Sequence, residues 1–294
     1  MPTKLLYGQV QHSAMNWPYY VAQERRFFVE EDLAVEAKFF TSGQEPVTKL
    51  INGSLDVISV IPDVVLLEAV KGASLSIIFN TNSRSQYCLM VQPGIRNYAD
   101  LKGEKIGVSH ALSAESFIFK KLVETKGHLF SSFELVASGP PLKRCAGLKQ
   151  GLFAATIVTQ PFDFVLEEAE FNKLASSQEI VPHYPFTVCV VRRDEGINEN
   201  VVRFLKSLKS AWHWLADPVN RESAVTILGQ STETGRKQAE KTYDLYLPSP
   251  SPPPLAPRQE GVATLLELLV DSGRLPSSVP PAKTFIDERY FQRL

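Results

Sequence analysis

The segment 109–115, which reads Ser-His-Ala-Leu-Ser-Ala-Glu, carries the residue types best suited to holding a small molecule. It is predicted to connect a strand to a helix over 114–125. Backbone N–H groups at a helix start are unpaired and lie at the positive end of the helix dipole, so such a loop can bind an anion. His110, Ser113 and Ala114 are the expected contacts, although Ser113 can equally serve only to cap the helix.

A second candidate loop, at 11–17, precedes a predicted helix over 19–28 and offers Gln11, Asn16 and Trp17. The Asn16 amide can donate and accept hydrogen bonds, and the Trp17 ring can stack on a ligand or close over it. The alternative is that the loop only packs against the start of the helix. We therefore treat these three residues as candidate ligand contacts.

Four further candidates lie at strand ends or where the chain is expected to cross between two lobes. Ile61 and Gln160 occupy equivalent turns of a repeated unit, and they predict one apolar and one polar wall of a cleft. Arg84 could balance the charge of an acidic ligand. His183, with His12 and His110, could support acid–base or metal chemistry only if the fold brought these imidazoles together.

The sequence contains none of the spacings that identify common catalytic or cofactor sites. A P-loop, an HExxH motif and a Ser/His/Asp arrangement are all absent from it. Cys88, Cys145 and Cys189 are scattered, without metal-ligand spacing, and are expected to be buried thiols. We therefore predict no catalytic residue, no metal and no cofactor.

Composition excludes several classes of protein. The 294 residues carry a net charge of -1, with 44% hydrophobic and 21% charged residues, which is not basic enough to indicate nucleic-acid binding. No apolar run approaches the roughly 18 residues of a membrane span. The N-terminus lacks a secretory signal, so the chain as it stands is expected in the cytoplasm, or in the periplasm if a leader has been removed.

One unit occurs twice, at 50–62 and again at 148–161. Each copy reads as a helix, a glycine stop, a short apolar strand and a proline that opens the next helix. The repetition predicts an α/β protein of two lobes around a central cleft, each a mainly parallel sheet flanked by helices. The expected boundaries are 1–84 plus 190–294 for lobe 1 and 85–189 for lobe 2, with hinges near 84–87 and 185–189.

Several segments resemble those of the ABC-type nitrate, sulfonate and taurine binding proteins and follow one another in the same order along the chain. This family includes relatives of the thiamine-pyrimidine precursor synthases. The most specific match is Asp-Leu-Lys-Gly-Glu-Lys-Ile-Gly-Val at 100–108. The others lie at 22–23, 27–28, 33–36, 52–56, 148–151, 160–161 and 285–287. The resemblance implies the type II periplasmic-binding-protein fold. Arg26, Asp32 and Ala154 depart from its pattern, so it does not identify the ligand.

Two functions follow from this resemblance. The first is a solute-binding protein of ABC-transporter type, which closes by hinge motion on an anionic or heteroaromatic small molecule and has an ABC permease as a potential partner. The alternative is a cytoplasmic enzyme on the same fold, either a thiamine-pyrimidine-precursor-like biosynthetic enzyme or an aromatic-acid decarboxylase. The missing cysteine-rich cluster argues against the first of these enzymes, and binding is the favoured hypothesis.

Overall fold

A computed structural model describes residues 2–83, 86–111, 113–181, 185–193, 196–248 and 252–294. Arg84 and His183 therefore lie outside the described residues. The described chain forms ten strands: β1 (Thr3–Val10), β2 (Leu33–Phe40), β3 (Val57–Val60), β4 (Leu75–Asn82), β5 (Cys88–Val91), β6 (Lys105–Val108), β7 (Glu134–Ala137), β8 (Ala155–Val158), β9 (Asn172–Ser176) and β10 (Thr187–Arg192).

The strands form two five-stranded sheets, in the orders β2-β1-β3-β10-β4 and β7-β6-β8-β5-β9. In each sheet four strands run in one direction and one runs against them. The reversed strands are β10 and β5, the strands by which the chain enters each sheet from the other. The prediction of two lobes with mainly parallel sheets is confirmed. β10 joins the first sheet from Thr187 onward.

Eleven α-helices of the described chain flank these sheets: α1 (Trp17–Glu24), α2 (Phe27–Glu30), α3 (Gln44–Ile51), α4 (Pro62–Val70), α5 (Ala114–Thr125), α6 (Pro141–Lys149), α7 (Phe162–Glu168), α8 (Glu199–Ala216), α9 (Arg221–Thr232), α10 (Arg236–Tyr246) and α11 (Gln259–Asp271). Short 3-10 turns lie at Ala14–Asn16, Tyr98–Leu101, Phe130–Ser132, Ser177–Glu179, Pro218–Asn220, Ala282–Phe285 and Phe291–Arg293. No helix in these parts of the chain is long and apolar enough to cross a membrane.

The repeated unit folds as its sequence predicts. Gly53 and Gly151 follow α3 and α6 with φ of 80° and 70°, a left-handed conformation that glycine adopts without steric cost. The strands that come next, β3 and β8, are entirely buried, because helices cover both faces of each sheet. Since the two copies lie in different sheets, the loops that follow them approach each other from the two lobes.

The helix predicted over 19–28 is wrong in one respect, because it is interrupted after Glu24. Arg26 has φ of 63°, which ends α1 and begins α2 at Phe27. Asp32, just before β2, has φ of 55°. These are the two positions where the family pattern has glycine. The left-handed backbone is therefore kept here by residues that pay a steric penalty for it.

Candidate functional site

A cleft of about 550 Å³ lies between the two sheets. Its walls are the loops at the carboxyl ends of strands from both sheets, which is where open α/β sheets bind ligands. The residues at these strand ends are Val10, Gln11 and Met15 at β1, residues 41–44 at β2, Ile61 and Asp63 at β3, Ser109, His110, Ser113, Ala114 and Glu115 at β6, and Thr159 at β8. Tyr87, on the approach to β5, and Arg274, beyond α11, complete the described walls together with one face of α4.

Five of the predicted contacts, namely Gln11, Ile61, His110, Ser113 and Ala114, line this cleft. Ser113 also caps α5, because its Oγ accepts a hydrogen bond from the Ser116 backbone N–H at 3.3 Å. The capping role and a place in the cleft wall are thus compatible. Whether these residues touch a ligand stays a prediction.

Asn16 and Trp17 do not line the cleft. Both side chains are fully buried. The Asn16 Nδ2 donates to the carbonyl oxygens of Val10 and Gln11, at 3.0 and 2.5 Å, and the Trp17 Nε1 donates to the carbonyl of Ala224. Gln11 has φ of 50°, so the Asn16 amide holds a strained residue in place at the edge of the cleft. Asn16 and Trp17 therefore hold the loop in place from its buried side.

Gln160 is also turned away from the cleft, and Thr159 lines it instead. The Gln160 Oε1 accepts from the Gln86 N–H at 2.9 Å, and its Nε2 donates to Asp163 Oδ2 at 3.0 Å. Its carbonyl oxygen accepts from the Ala14 N–H at 3.1 Å. Gln160 therefore ties the second sheet to the β1 loop, and the polar wall expected from it is provided by other residues.

The described imidazoles do not converge. His110 lines the cleft, whereas His12 stacks on the ring of Phe39 at a centroid distance of 3.7 Å and is not part of the cleft wall. Burial lowers the pKa of His12. Within the described ranges, no group of three or more His, Cys, Asp or Glu side chains could hold a metal ion.

Two buried carboxylates dominate the electrostatics of the cleft, and sequence reasoning did not single them out. Asp63 lies in the first turn of α4 and is 2% exposed, while Glu115 lies in the first turn of α5 and is 6% exposed. An acidic residue in a first helical turn usually complements the helix dipole. Such residues are therefore common and give no signal of a binding site.

Each of these carboxylates has an arginine beside it. Arg274 Nη1 lies 3.4 Å from Asp63 Oδ2, and Arg144 Nη2 lies 3.2 Å from Glu115 Oε1. The second oxygen of Glu115 accepts from Ser109 Oγ at 2.9 Å. Burial raises the pKa of Asp63, and Glu115 raises it further, whereas Arg274 opposes the change. Both walls of the cleft therefore carry a buried carboxylate, and an arginine balances the charge of each one.

Asp63→Asn is expected to change how stability depends on pH. The folded protein binds the Asp63 proton more tightly than the unfolded chain, whose aspartates titrate near about 3.9. The contribution of Asp63 to stability therefore falls as pH rises from that value through the raised folded pKa. Asparagine has no such proton. In urea unfolding, the free energy of unfolding of the variant should therefore increase relative to that of the wild type as the pH rises toward neutrality.

The control for this titration is Glu45→Gln, which removes an exposed carboxylate on α3 outside the cleft. Its free energy of unfolding should stay within about 0.5 kcal/mol of the wild type, as is usual for a surface substitution. If the free energies of unfolding of wild type and Asp63→Asn changed with pH in parallel, the environment of Asp63 would not favour its protonated form.

The family model described as NMT1/THI5 like matches residues 14–220. A protein of Brucella abortus (strain 2308), whose name gives it only as a candidate binding protein, is 25% identical over 181 residues. That match spans 61% of this chain and 56% of the relative.

Solved structures share the fold across almost the whole chain. The ligand-binding component of an ABC-type import system from Staphylococcus aureus, determined with zinc bound, has a TM-score of 0.79 at 14% identity and covers 99% of this chain and 98% of its own. The alkanesulfonate-binding protein SsuA from Xanthomonas axonopodis pv. citri, bound to MOPS, has a TM-score of 0.78 at 16% identity and covers 98% and 99%. At these identities the likeness shows the fold alone.

Proposed function

This chain belongs to the NMT1/THI5-like family, and we propose from that premise that it is a solute-binding protein whose two lobes close on a small molecule. The observation that carries the proposal is the cleft of about 550 Å³, lined by strand-end loops of both sheets. Sites for small molecules in proteins commonly have about 300–1,000 Å³. A ligand there would contact both lobes at once and would therefore stabilise their closure.

The contacts at the flanks of the cleft are of a kind that permits hinge motion. Lys121 on α5 lies 3.5 Å from Asp271 at the end of α11, and on the other flank Lys237 and Lys241 of α10 pair with α7. Exposed ion pairs of this type contribute about 0–1 kcal/mol each. The proposed hinges lie near 84–87 and 185–189, where the chain passes from one sheet to the other.

Native mass spectrometry of freshly purified protein tests the proposal. We expect a small molecule of fixed mass to be retained and to be released on denaturation. Small-angle X-ray scattering of the stripped protein, with and without the released molecule, should then show a smaller radius of gyration in its presence. A tightly bound ligand that leaves the radius unchanged would rule out hinge closure.

The enzyme alternative keeps one specific observation in its favour, since His110 lines the cleft. If the protein is an enzyme, it should convert the retained molecule into a product, and His110→Ala should abolish that turnover without releasing the ligand. We expect binding without turnover. The charged residues of the described wall, which are Asp63, Glu68, Glu115, Lys71 and Arg274, would then only recognise the ligand.

The proposal extends to a partner and a compartment. An ABC permease is the expected partner, supported by the ABC import component among the structural relatives. Co-purification of a permease with the native protein, enhanced by the retained ligand, would support it. Cell fractionation with compartment markers decides between the cytoplasm and the periplasm.

A further inference from the structure

One carboxylate oxygen in the cleft wall makes no hydrogen bond to any residue that the structure describes. Asp63 is 2% exposed, and its Oδ2 faces Arg274 at 3.4 Å. The Val64 backbone N–H also favours the charged carboxylate, but the buried Oδ1 has no partner of hydrogen-bond geometry among the described residues. A buried carboxylate oxygen without a donor is unfavourable, so such an atom in a cleft wall points to a donor supplied from outside the chain.

The charges around Asp63 are poorly arranged for an anion. The two basic residues of the described cleft wall, Lys71 and Arg274, are already beside carboxylates, Glu68 at 3.0 Å and Asp63 at 3.4 Å. Glu115 approaches from the other lobe with its charge paired to Arg144. The positive ends of α4 and α5, which could otherwise attract an oxyanion, each carry one of these carboxylates.

We infer that the ligand presents an N–H donor, such as an amine or amidine group, to Asp63 Oδ1, and that an oxyanion is not its recognition group. This inference rests on the proposed binding function and specifies the chemistry of its ligand. An N–H bond to a carboxylate is charge-assisted and is stronger than a bond between neutral groups. Asp63 then acts as the residue that determines specificity.

The rest of the wall suits an apolar body attached to that group. Val10, Met15, Ile61 and Leu67 contribute aliphatic surface to the same cleft wall of the first lobe. Benzamidine, benzamide and benzoate share a phenyl ring and differ in carrying a cationic donor, a neutral donor and an anion. This series therefore isolates the polar group as the variable.

Isothermal titration calorimetry of the stripped wild-type protein with the three probes tests the inference. We expect benzamidine to bind at least about tenfold more tightly than benzoate, because a hydrogen bond to a charged group contributes on that order. Asp63→Asn should weaken benzamidine binding by about tenfold or more and remove the preference over benzoate. Glu45→Gln, an equal charge change outside the cleft, should keep it.

The wild-type comparison does not depend on any variant folding. Equal or tighter binding of benzoate would overturn the inference while leaving the binding function intact, and so would an Asp63→Asn protein that keeps the preference. If no probe binds, the chemistry of the molecule released in native mass spectrometry tests the inference. A released molecule that carries an N–H donor group and is not retained by Asp63→Asn would support the inference. A released molecule whose only polar group is an oxyanion would overturn it. If nothing is retained and no probe binds, the binding function and this inference both fail.

Discussion

Arg144→Met is expected to lower the free energy of unfolding by about 3–5 kcal/mol, the usual cost of removing one partner from a buried ion pair. Arg144 is 1% exposed, and it donates to Glu115 Oε1 at 3.2 Å and to the Gly139 carbonyl at 2.5 Å. Methionine fills much of the same volume but leaves the Glu115 charge buried. Only the Ser109 hydroxyl then remains as a described hydrogen-bond donor to that carboxylate.

Chemical denaturation of wild type and variant gives this difference directly. Lys143→Met changes the neighbouring exposed residue of α6 in the same way and should stay within about 0.5 kcal/mol of wild type. Adding Glu115→Met to Arg144→Met should recover most of the loss. A loss below about 1 kcal/mol in Arg144→Met would contradict the assignment of a buried charge pair.

Phe153→Ala is expected to cost about 3–5 kcal/mol, as is typical for a buried aromatic ring. Phe153 is 4% exposed and lies between β6 and α6. A Cβ added at Gly107 would lie 2.6 Å from its ring, and one at Gly147 would lie 2.7 Å from it. The two glycines thus make the space that the ring occupies, and the loss of the ring leaves a cavity.

A double-mutant cycle with Gly107→Ala tests this packing. In the wild type the added methyl group must displace the ring, which costs about 1–3 kcal/mol. In the Phe153→Ala background the methyl group enters the vacated space, so Gly107→Ala should be neutral or stabilising. Denaturant unfolding of the four proteins measures the coupling. An equal cost in both backgrounds would show that the ring and Gly107 do not constrain each other.

Local sequence signals predicted most of the helices and strands. The bounds of α4 and α5 follow from Pro62 at a first helical position and from Ser113 as a cap. β9 had no comparable signal, because Asn172–Ser176 neither alternates nor forms an apolar run. It is a strand because it pairs with β5 at the edge of the second sheet. Its structure thus depends on a partner distant in sequence.

The candidate site likewise has a part that the sequence predicted and a part that it did not. The loops at the strand ends were identifiable, since their place follows from the order of helices and strands. Which side chains in those loops face the cleft was not. Asn16 and Gln160 carry amides as suitable for a ligand as that of Gln11, yet they are buried against backbone and side-chain partners.

The sequence by itself determined the two-lobe α/β architecture, the doubled helix–glycine–strand–proline unit and the loops that form the cleft, because these depend on residues within one or two turns of each other. The tertiary structure alone decided the charges of the cleft. Arg274 lies 211 positions after Asp63, and Arg144 lies 29 positions after Glu115. An electrostatic pair across such separations exists only when the packing of other elements brings its members together, and the spacing of residues along a chain carries no record of that packing.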